Sequence, residues 1–284
     1  MFDIVISGGS VLTRTGIEQI DVGIADGSVA ALGSGLEGSK TIDASGAWVG
    51  PGLVDLHTHL REPGEEWKED IATGTAAAAA GGYTAVVAMP NTVPAIDNAQ
   101  IAFYVSERAR RVGYTDVFPA GAITMGRLGE HMSHIDELWD AGVRIFTDDG
   151  TSLDNAAVLR LAMDYIANLG GVVAQHAVDS TLSAHGFMHE GTVSSRLGMY
   201  GIPSEAEEIV IARDLALVRL TGVRYHVQHV STARGVELVA AAKANGLPVT
   251  CEVTPHHLTF DHTDVETTDP DFKMMPPLRS EQDR

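Results

Sequence analysis

The chain has 284 residues, of which 44% are hydrophobic and 20% are charged, and its formal net charge at pH 7 is −19. So acidic a chain repels phosphate groups, and we therefore expect neither nucleic acid nor an anionic membrane as a partner. Cys251 is the single cysteine, which excludes an internal disulfide and favours a reducing, cytoplasmic location. Its place within an apolar run predicts a buried side chain. The N-terminus lacks the pattern of an export signal, and no apolar run reaches membrane-spanning length, so we expect no membrane targeting.

Residues 1–50 have the pattern of short strands separated by turns that contain glycine. Four strands are predicted in this part, at residues 3–7, 21–25, 29–32 and 40–43. A segment of this length is too short to bury a full core by itself. We therefore expect it to be the N-terminal part of a small β-sandwich domain.

From residue 51 onward, short apolar runs alternate with amphipathic helices. Seven strands are predicted, at 53–56, 84–89, 117–123, 143–147, 171–174, 225–227 and 248–253. Predicted helices include 70–80, 98–111 and 205–220, the last of which begins with a capping box formed by Ser204 and Glu207. This alternation, with near-continuous apolar strands, is typical of an α/β protein with a parallel sheet. Because no nucleotide-type glycine loop follows the first strand, we expect residues 51–284 to form a (β/α)8 barrel in which strands one to seven are present and strand eight is missing.

Side chains that can bind metals follow several of these strands. In a (β/α)8 barrel the functional side chains lie at the C-terminal ends of the strands. Five candidates occupy such positions: His57, His59, Asp149, His176 and His229. Side-chain alternation places His57 and His59 on the same side of strand one, so both imidazoles can reach one ion. Imidazole and carboxylate together suit zinc, so the sequence predicts a metal site for one or two divalent ions.

Several motifs resemble those of dihydroorotases in the amidohydrolase superfamily. They occur in family order along essentially the whole chain: PGLVDLHTHLREPG at 51–64, MPNT at 89–92, FTDDG at 146–150, PSEAEE at 203–208, HVST at 229–232, EVTPHHL at 252–258 and PPLR at 276–279. The resemblance implies that the five candidate side chains hold one or two zinc ions. It also implies that Arg61 and Asn91 bind the substrate carboxylate, a role that suits a guanidinium fork and a planar amide. The alternatives are a salt bridge from Arg61 to Glu62 or Glu65 and a turn role for Asn91.

The same resemblance implies an activity, the reversible cyclisation of N-carbamoyl-L-aspartate to (S)-dihydroorotate in pyrimidine biosynthesis. Hydantoinases and many other dihydroorotases bridge two metals with a carboxylated lysine from strand four. No lysine lies between Lys68 and Lys243, so the chain resembles the type with an aspartate there. Asp149 is the expected residue, with Asp148 as the alternative. Met275 stands where the family usually has an asparagine that helps to bind the substrate ring.

The family's proton-transferring aspartate belongs to strand eight and is not among these 284 residues. We therefore interpret the chain as C-terminally truncated and expect no turnover from it alone. Two other functions stay open: hydrolysis of another cyclic amide by an allantoinase-like or hydantoinase-like enzyme, and a non-catalytic dihydroorotase-like subunit that supports aspartate transcarbamoylase. Arg61 and Asn91 indicate a substrate with a carboxylate and so disfavour the first function. Retention of every ligand up to strand seven disfavours the second. A homo-oligomer is a further expectation.

Overall fold

The computed structural model describes residues 1–284, with the exception of the side chain of Thr267. The chain divides into two compact units, Met1–Leu53 and Val54–Arg284, so the division falls close to the boundary placed at residue 50 from the sequence. No helix in the described part of the chain combines the length and the apolar character that crossing a membrane requires.

The first unit consists of short strands. They are β1 (Phe2–Ser7), β2 (Ser10–Thr13), β3 (Gly16–Gln19), β4 (Asp21–Ala25), β5 (Ser28–Gly33), β6 (Gly38–Asp43) and β7 (Trp48–Val49). One sheet has the order β5-β4-β1-β6, in which β1 and β6 are parallel and the other neighbours are antiparallel. The other sheet has the order β3-β2-β7. The four predicted strands are present, whereas the sequence pattern misses β2, β3 and β7, because β3 is exposed along its whole length and β7 has only two residues.

Strands and helices alternate along the second unit. The strands are β8 (Leu53–Thr58), β9 (Tyr83–Ala88), β10 (Asp116–Pro119), β11 (Ile145–Phe146), β12 (Val172–Gln175), β13 (Met188–His189), β14 (Gly201–Ile202), β15 (Arg224–Val227) and β16 (Val249–Cys251). The α-helices are α1 (Ile71–Ala80), α2 (Ala99–Val112), α3 (Ile135–Asp140), α4 (Ala156–Leu169), α5 (Ser180–Ser183), α6 (Thr192–Leu197), α7 (Glu205–Thr221), α8 (Ala233–Ala244) and α9 (Pro255–Thr259). Short 3₁₀ helices lie at Met125–Arg127, Asp264–Thr267 and Pro270–Phe272.

The main strands of this unit are neighbours in the order in which they occur along the chain. One sheet has the order β10-β9-β8 and another has the order β11-β12-β15-β16. The pairs β9–β10, β11–β12, β12–β15 and β15–β16 are parallel, and a parallel bridge between Gly121 and Phe146 connects the segment after β10 with β11. Because parallel strands run in one direction, their carboxyl ends lie along the same edge.

Apolar side chains from both strands and helices form the core of the second unit. Val86 of β9, Phe146 of β11, Val173 of β12 and Val227 of β15 are almost completely buried and belong to one cluster with Ile211 of α7. Complete burial of such a side chain contributes about 1.5–3 kcal/mol relative to leaving it in water. The core therefore fixes β11, β12 and β15, which Asp149, His176 and His229 follow.

Two details of the second unit differ from the sequence-based predictions. The capping box predicted for α7 is wrong: Ser204 makes no side-chain cap, and the Glu207 carboxylate instead accepts hydrogen bonds from the N–H and hydroxyl groups of Ser231 and Thr232. Four donors converge there, so Glu207 ties α7 to the segment after β15. Cys251, predicted to be buried, is exposed because β16 lies at the edge of its sheet.

Candidate metal centre

The carboxyl edge of the parallel strands carries the candidate ligands. His57 lies near the end of β8 and His59 follows it, while Asp149, His176 and His229 come after β11, β12 and β15. Each of these side chains is buried or half-buried. The structure therefore brings all five candidates to one place, although they are distributed over more than half of the chain.

Asp149 lies at the centre of the group. Its Oδ1 atom is 3.4 Å from His57 Nε2, 3.7 Å from His176 Nδ1 and 3.6 Å from His229 Nε2. Its Oδ2 atom is 3.5 Å from His59 Nε2. The imidazoles also approach one another, with 3.3 Å between the Nε2 atoms of His57 and His59 and 2.9 Å between His176 Nδ1 and His229 Nε2.

These spacings fit a small divalent ion such as zinc. Four donors arranged tetrahedrally at about 2.1 Å from an ion are about 3.4 Å apart, close to the carboxylate–imidazole distances around Asp149. Asp149 Oδ1 is buried and has no hydrogen-bond partner among the described residues, which is costly for an acceptor unless an ion satisfies it. The ligand atoms of His57, Asp149 and His229 lie within 4.8 Å of one another. The donor set and its spacing are therefore compatible with a metal site.

Burial and mutual contacts shift the pKa values of these groups. Burial would raise the pKa of Asp149, but contacts with His176, His229 and His57 hold that pKa well below its usual range. Burial lowers the pKa of His229 to about 4 against the opposing effect of Asp149, and burial also lowers the pKa of His59. For His59 and His229, an ionised carboxylate next to a neutral imidazole is the protonation state that metal binding requires.

Glu252, to which the sequence reasoning assigns no individual role, follows β16 and contacts His57. One carboxylate oxygen is 2.5 Å from His57 Nδ1, and the other is 3.2 Å from His226 Nε2. Burial opposes the ionisation of Glu252, but the two histidines lower its pKa to about 2. Burial likewise opposes protonation of His57, but Asp149 and Glu252 raise its pKa to about 10. A carboxylate at Nδ1 orients the ring so that Nε2 faces Asp149. The only sequence signal that could have indicated this role is that Glu252 is an acidic residue close to the end of a predicted strand.

Asn91, the first candidate substrate-binding residue, lies next to the candidate ligands. Its Oδ1 atom is 3.0 Å from His59 Nδ1, and its Nδ2 atom donates to Asp149 Oδ2 at 3.4 Å. With Nδ1 of His59 donating to this amide oxygen, Nε2 of the same ring can face Asp149. Asn91 therefore positions one imidazole as well as standing beside the carboxylate.

Arg61, the second candidate, lies just after β8 in a left-handed backbone conformation with a φ of 56°. That conformation costs a non-glycine residue about 1–2 kcal/mol, and such residues cluster at functional sites. The alternative role considered from the sequence is a salt bridge from Arg61 to Glu62 or Glu65. In the structure Glu62 pairs with Arg108 and Glu65 pairs with Lys68. Neither Glu62 nor Glu65 forms a salt bridge with the Arg61 guanidinium.

Asp148, the alternative to Asp149, is engaged elsewhere. Its carboxylate accepts hydrogen bonds from Thr124 N at 3.0 Å and from Thr124 Oγ1 at 2.5 Å. It therefore fixes the loop after β10 rather than joining the imidazoles.

Met275, which stands where the family usually has an asparagine, has an exposed side chain.

Sequence comparisons with known proteins find dihydroorotases. A family model described as dihydro-orotase-like matches residues 46–235. The chain is 46% identical over 284 residues to a dihydroorotase of Pelotomaculum thermopropionicum, covering 99% of this chain and 66% of that protein. It is 46% identical over 273 residues to a dihydroorotase of Deinococcus radiodurans, covering 96% of this chain and 65% of that protein. The chain thus spans about two thirds of the length of these relatives.

Solved structures with a similar fold include hydantoinases. The L-hydantoinase (dihydropyrimidinase) from Arthrobacter aurescens superimposes with a TM-score of 0.85 at 27% identity, covering 99% of this chain and 65% of that one. The D-hydantoinase from Bacillus sp. AR9 gives a TM-score of 0.81 at 27% identity, covering 99% of this chain and 64% of that one. The predicted α/β class is confirmed, and the fold is that of the amidohydrolases.

Proposed function

The chain belongs to the dihydro-orotase-like family, and from this premise we propose that it forms the metal-binding and substrate-binding part of a dihydroorotase. Such an enzyme reversibly closes N-carbamoyl-L-aspartate to (S)-dihydroorotate with loss of water, a step of pyrimidine biosynthesis. The observation that carries the proposal is the arrangement of four imidazoles around the buried carboxylate of Asp149.

Zinc, as one or two ions, is the metal we propose for this site. The residues that would hold it are His57, His59, Asp149, His176 and His229. When bound, the metal would supply a Lewis acid that polarises the reacting carbonyl group and lowers the pKa of water. The contribution of the chain itself is orientation, because Glu252 and Asn91 each hold one imidazole through Nδ1.

The substrate carboxylate is assigned to Arg61 and Asn91. A guanidinium can donate two parallel hydrogen bonds to a carboxylate. Because Asn91 contacts both His59 and Asp149, a carboxylate bound there would lie beside the metal ligands. The tests of this assignment below measure binding rather than turnover.

The fold is proposed in finer detail as a barrel. In this proposal β8, β9, β10, β11, β12, β15 and β16 are strands one to seven of a (β/α)8 catalytic domain formed by residues 51–284. Residues 1–50 are the N-terminal part of a small β-sandwich domain. The exposure of Val54, Leu56 and Val253 on and beside β8 and β16 supports this assignment, because parallel barrel strands are normally covered on both faces. An eighth strand between β8 and β16 would cover them.

A hydantoinase-like function is less favoured, although the similar solved structures are hydantoinases. Hydantoinases use a carboxylated lysine at the position that Asp149 is proposed to occupy here. No lysine lies between Lys68 and Lys243, so this part of the chain cannot supply one. A non-catalytic supporting subunit is disfavoured because it would have no need to retain every ligand up to strand seven. We also propose that the chain associates with itself or with aspartate transcarbamoylase. The proposed metal site does not depend on either association, because all of its ligands come from one chain.

Arg61→Met tests the substrate assignment. We expect the zinc-loaded chain to bind (S)-dihydroorotate, and we expect the variant to lose about 2–5 kcal/mol of binding free energy, because a charge-assisted contact is removed. Binding of dihydrouracil, which lacks the carboxylate, should change far less, and Arg160→Met on the exposed face of α4 should change neither. Calorimetric titration measures each affinity. An equal loss for both ligands would make Arg61 a structural residue, and a wild-type chain that does not bind dihydroorotate would contradict the proposed function.

A further inference from the structure

The loop after β10 is fixed on both sides and leads into the metal centre. Asp148 accepts the hydrogen bonds of Thr124, and Thr124 Oγ1 in turn accepts from Gly129 N at 3.0 Å. Asp97 Oδ2 accepts from Gly126 N at 2.7 Å. These bonds hold the 3₁₀ turn that contains Arg127, whose backbone is left-handed with a φ of 59°. A strained backbone held in place by several hydrogen bonds is typical of a residue whose side chain has a defined task.

The Arg127 side chain reaches the residue that follows Asp149, beside the Asn91 amide. A Cβ atom at Gly150 would lie 3.2 Å from Arg127 Nη2 and 3.2 Å from Asn91 Nδ2. The guanidinium and the Asn91 amide therefore both approach the backbone of the residue that follows Asp149. A side chain at position 150 would close this space, so glycine there keeps both groups of donors next to the ligands.

No partner satisfies the Arg127 guanidinium within the described residues. Its Nε atom is buried without a hydrogen-bond partner, and the side chain takes part in none of the ion pairs that the described residues form. Burial lowers the pKa of Arg127, Asp149 and Asp148 oppose that effect, and the like charge of Arg61 adds to it. Two guanidinium groups that repel each other, one with a buried unpaired donor, are stabilised when an anion binds to both.

We propose that Arg127 is a second substrate-binding cation, which donates hydrogen bonds to the carboxylate that Arg61 and Asn91 bind. A carboxylate has about four lone-pair positions and can accept from both guanidinium groups at once. This inference rests on the proposed dihydroorotase function and adds to it a specificity determinant on the loop after β10. The chain then recognises acidic cyclic amides with two cations, and a neutral ring lacks the group that either of them binds.

Arg127→Gln and Arg127→Lys, compared with Arg160→Gln as a matched control, test this assignment in the zinc-loaded chain of 284 residues. We expect Arg127→Gln to weaken binding of (S)-dihydroorotate at least about tenfold, because a charge-assisted contact is lost. Arg127→Lys keeps the charge without the fork and should fall between the wild type and Arg127→Gln. Zinc content, the thermal unfolding midpoint and the affinity for dihydrouracil should stay at wild-type values, as they should in Arg160→Gln. Calorimetric titration and elemental analysis provide these measurements.

The outcomes separate this inference from the function on which it rests. If the wild type binds dihydroorotate and Arg127→Gln binds it equally well, the inference fails and the proposed function stands. If both Arg127 variants lose zinc or unfold at lower temperature, Arg127 is a structural residue and the inference also fails. If the wild type prefers dihydrouracil or binds neither compound, the proposed function fails and this inference falls with it.

Discussion

β15 and β8 both carry candidate ligands at or just after their carboxyl ends, but they differ in how they are covered. In β15, Tyr225 is 1% exposed and Val227 is 0% exposed, whereas in β8, Val54 is 56% exposed and Leu56 is 43% exposed. β15 has β12 and β16 as neighbours, whereas β8 is the last strand of its sheet. The difference therefore comes from the place of each strand in its sheet and not from its composition.

The candidate ligands are divided between these two regions. His176 and His229 follow strands that the core covers, whereas His57 and His59 belong to the exposed strand. The core positions the first pair. The second pair depends more on side chains that hold the rings directly, among which Glu252 makes the shortest contact. The candidate metal centre thus has one half built into the core and one half held by hydrogen bonds.

Removing both imidazoles of the exposed half should have the largest effect. In the double variant His57→Ala and His59→Ala, we expect zinc binding to weaken by more than about 100-fold, beyond the 10–100-fold that is typical of losing an outer-shell partner. Elemental analysis after dialysis measures the retained metal. The matched control is the double variant His131→Ala and His134→Ala, which changes two exposed histidines and should keep the wild-type content. Full zinc retention after loss of the β8 pair would mean that the buried half binds the ion alone.

Glu252→Ala tests whether hydrogen bonding positions the exposed half. Without the carboxylate, Nδ1 of His57 loses its 2.5 Å partner, so we expect zinc affinity to fall by about 10–100-fold. Glu252→Gln keeps an acceptor and should fall between the wild type and Glu252→Ala. Glu237→Gln, on the exposed surface of α8, is the control. Competition with a chelator of known affinity gives the constants, and equal affinities for all four proteins would show that β8 alone orients His57.

The comparison also explains what the sequence could and could not predict. The proximity of the candidate ligands could be predicted because parallel strands bring their carboxyl ends to one edge whichever residues cover them, and the structure does bring His57 and Asp149 together. The contact between His57 and Glu252 could not, because it joins residues 195 positions apart and depends on the order of the strands. The exposure of Cys251 could not be predicted either, since burial depends on the neighbours of β16 rather than on the residues within it.

Val227→Ala and Val54→Ala apply the same chemical change to the two strands. Val227 is 0% exposed, so its truncation should cost about 1.5–3 kcal/mol of unfolding free energy, because the lost burial and the cavity both contribute. Val54 is 56% exposed, and its truncation should cost less than about 0.5 kcal/mol. Denaturant unfolding monitored by circular dichroism measures both values. A loss at Val54 as large as the loss at Val227 would show that β8 is covered in solution. If that loss also grows with protein concentration, the cover is a second copy of the chain, because association stabilises the folded state by mass action.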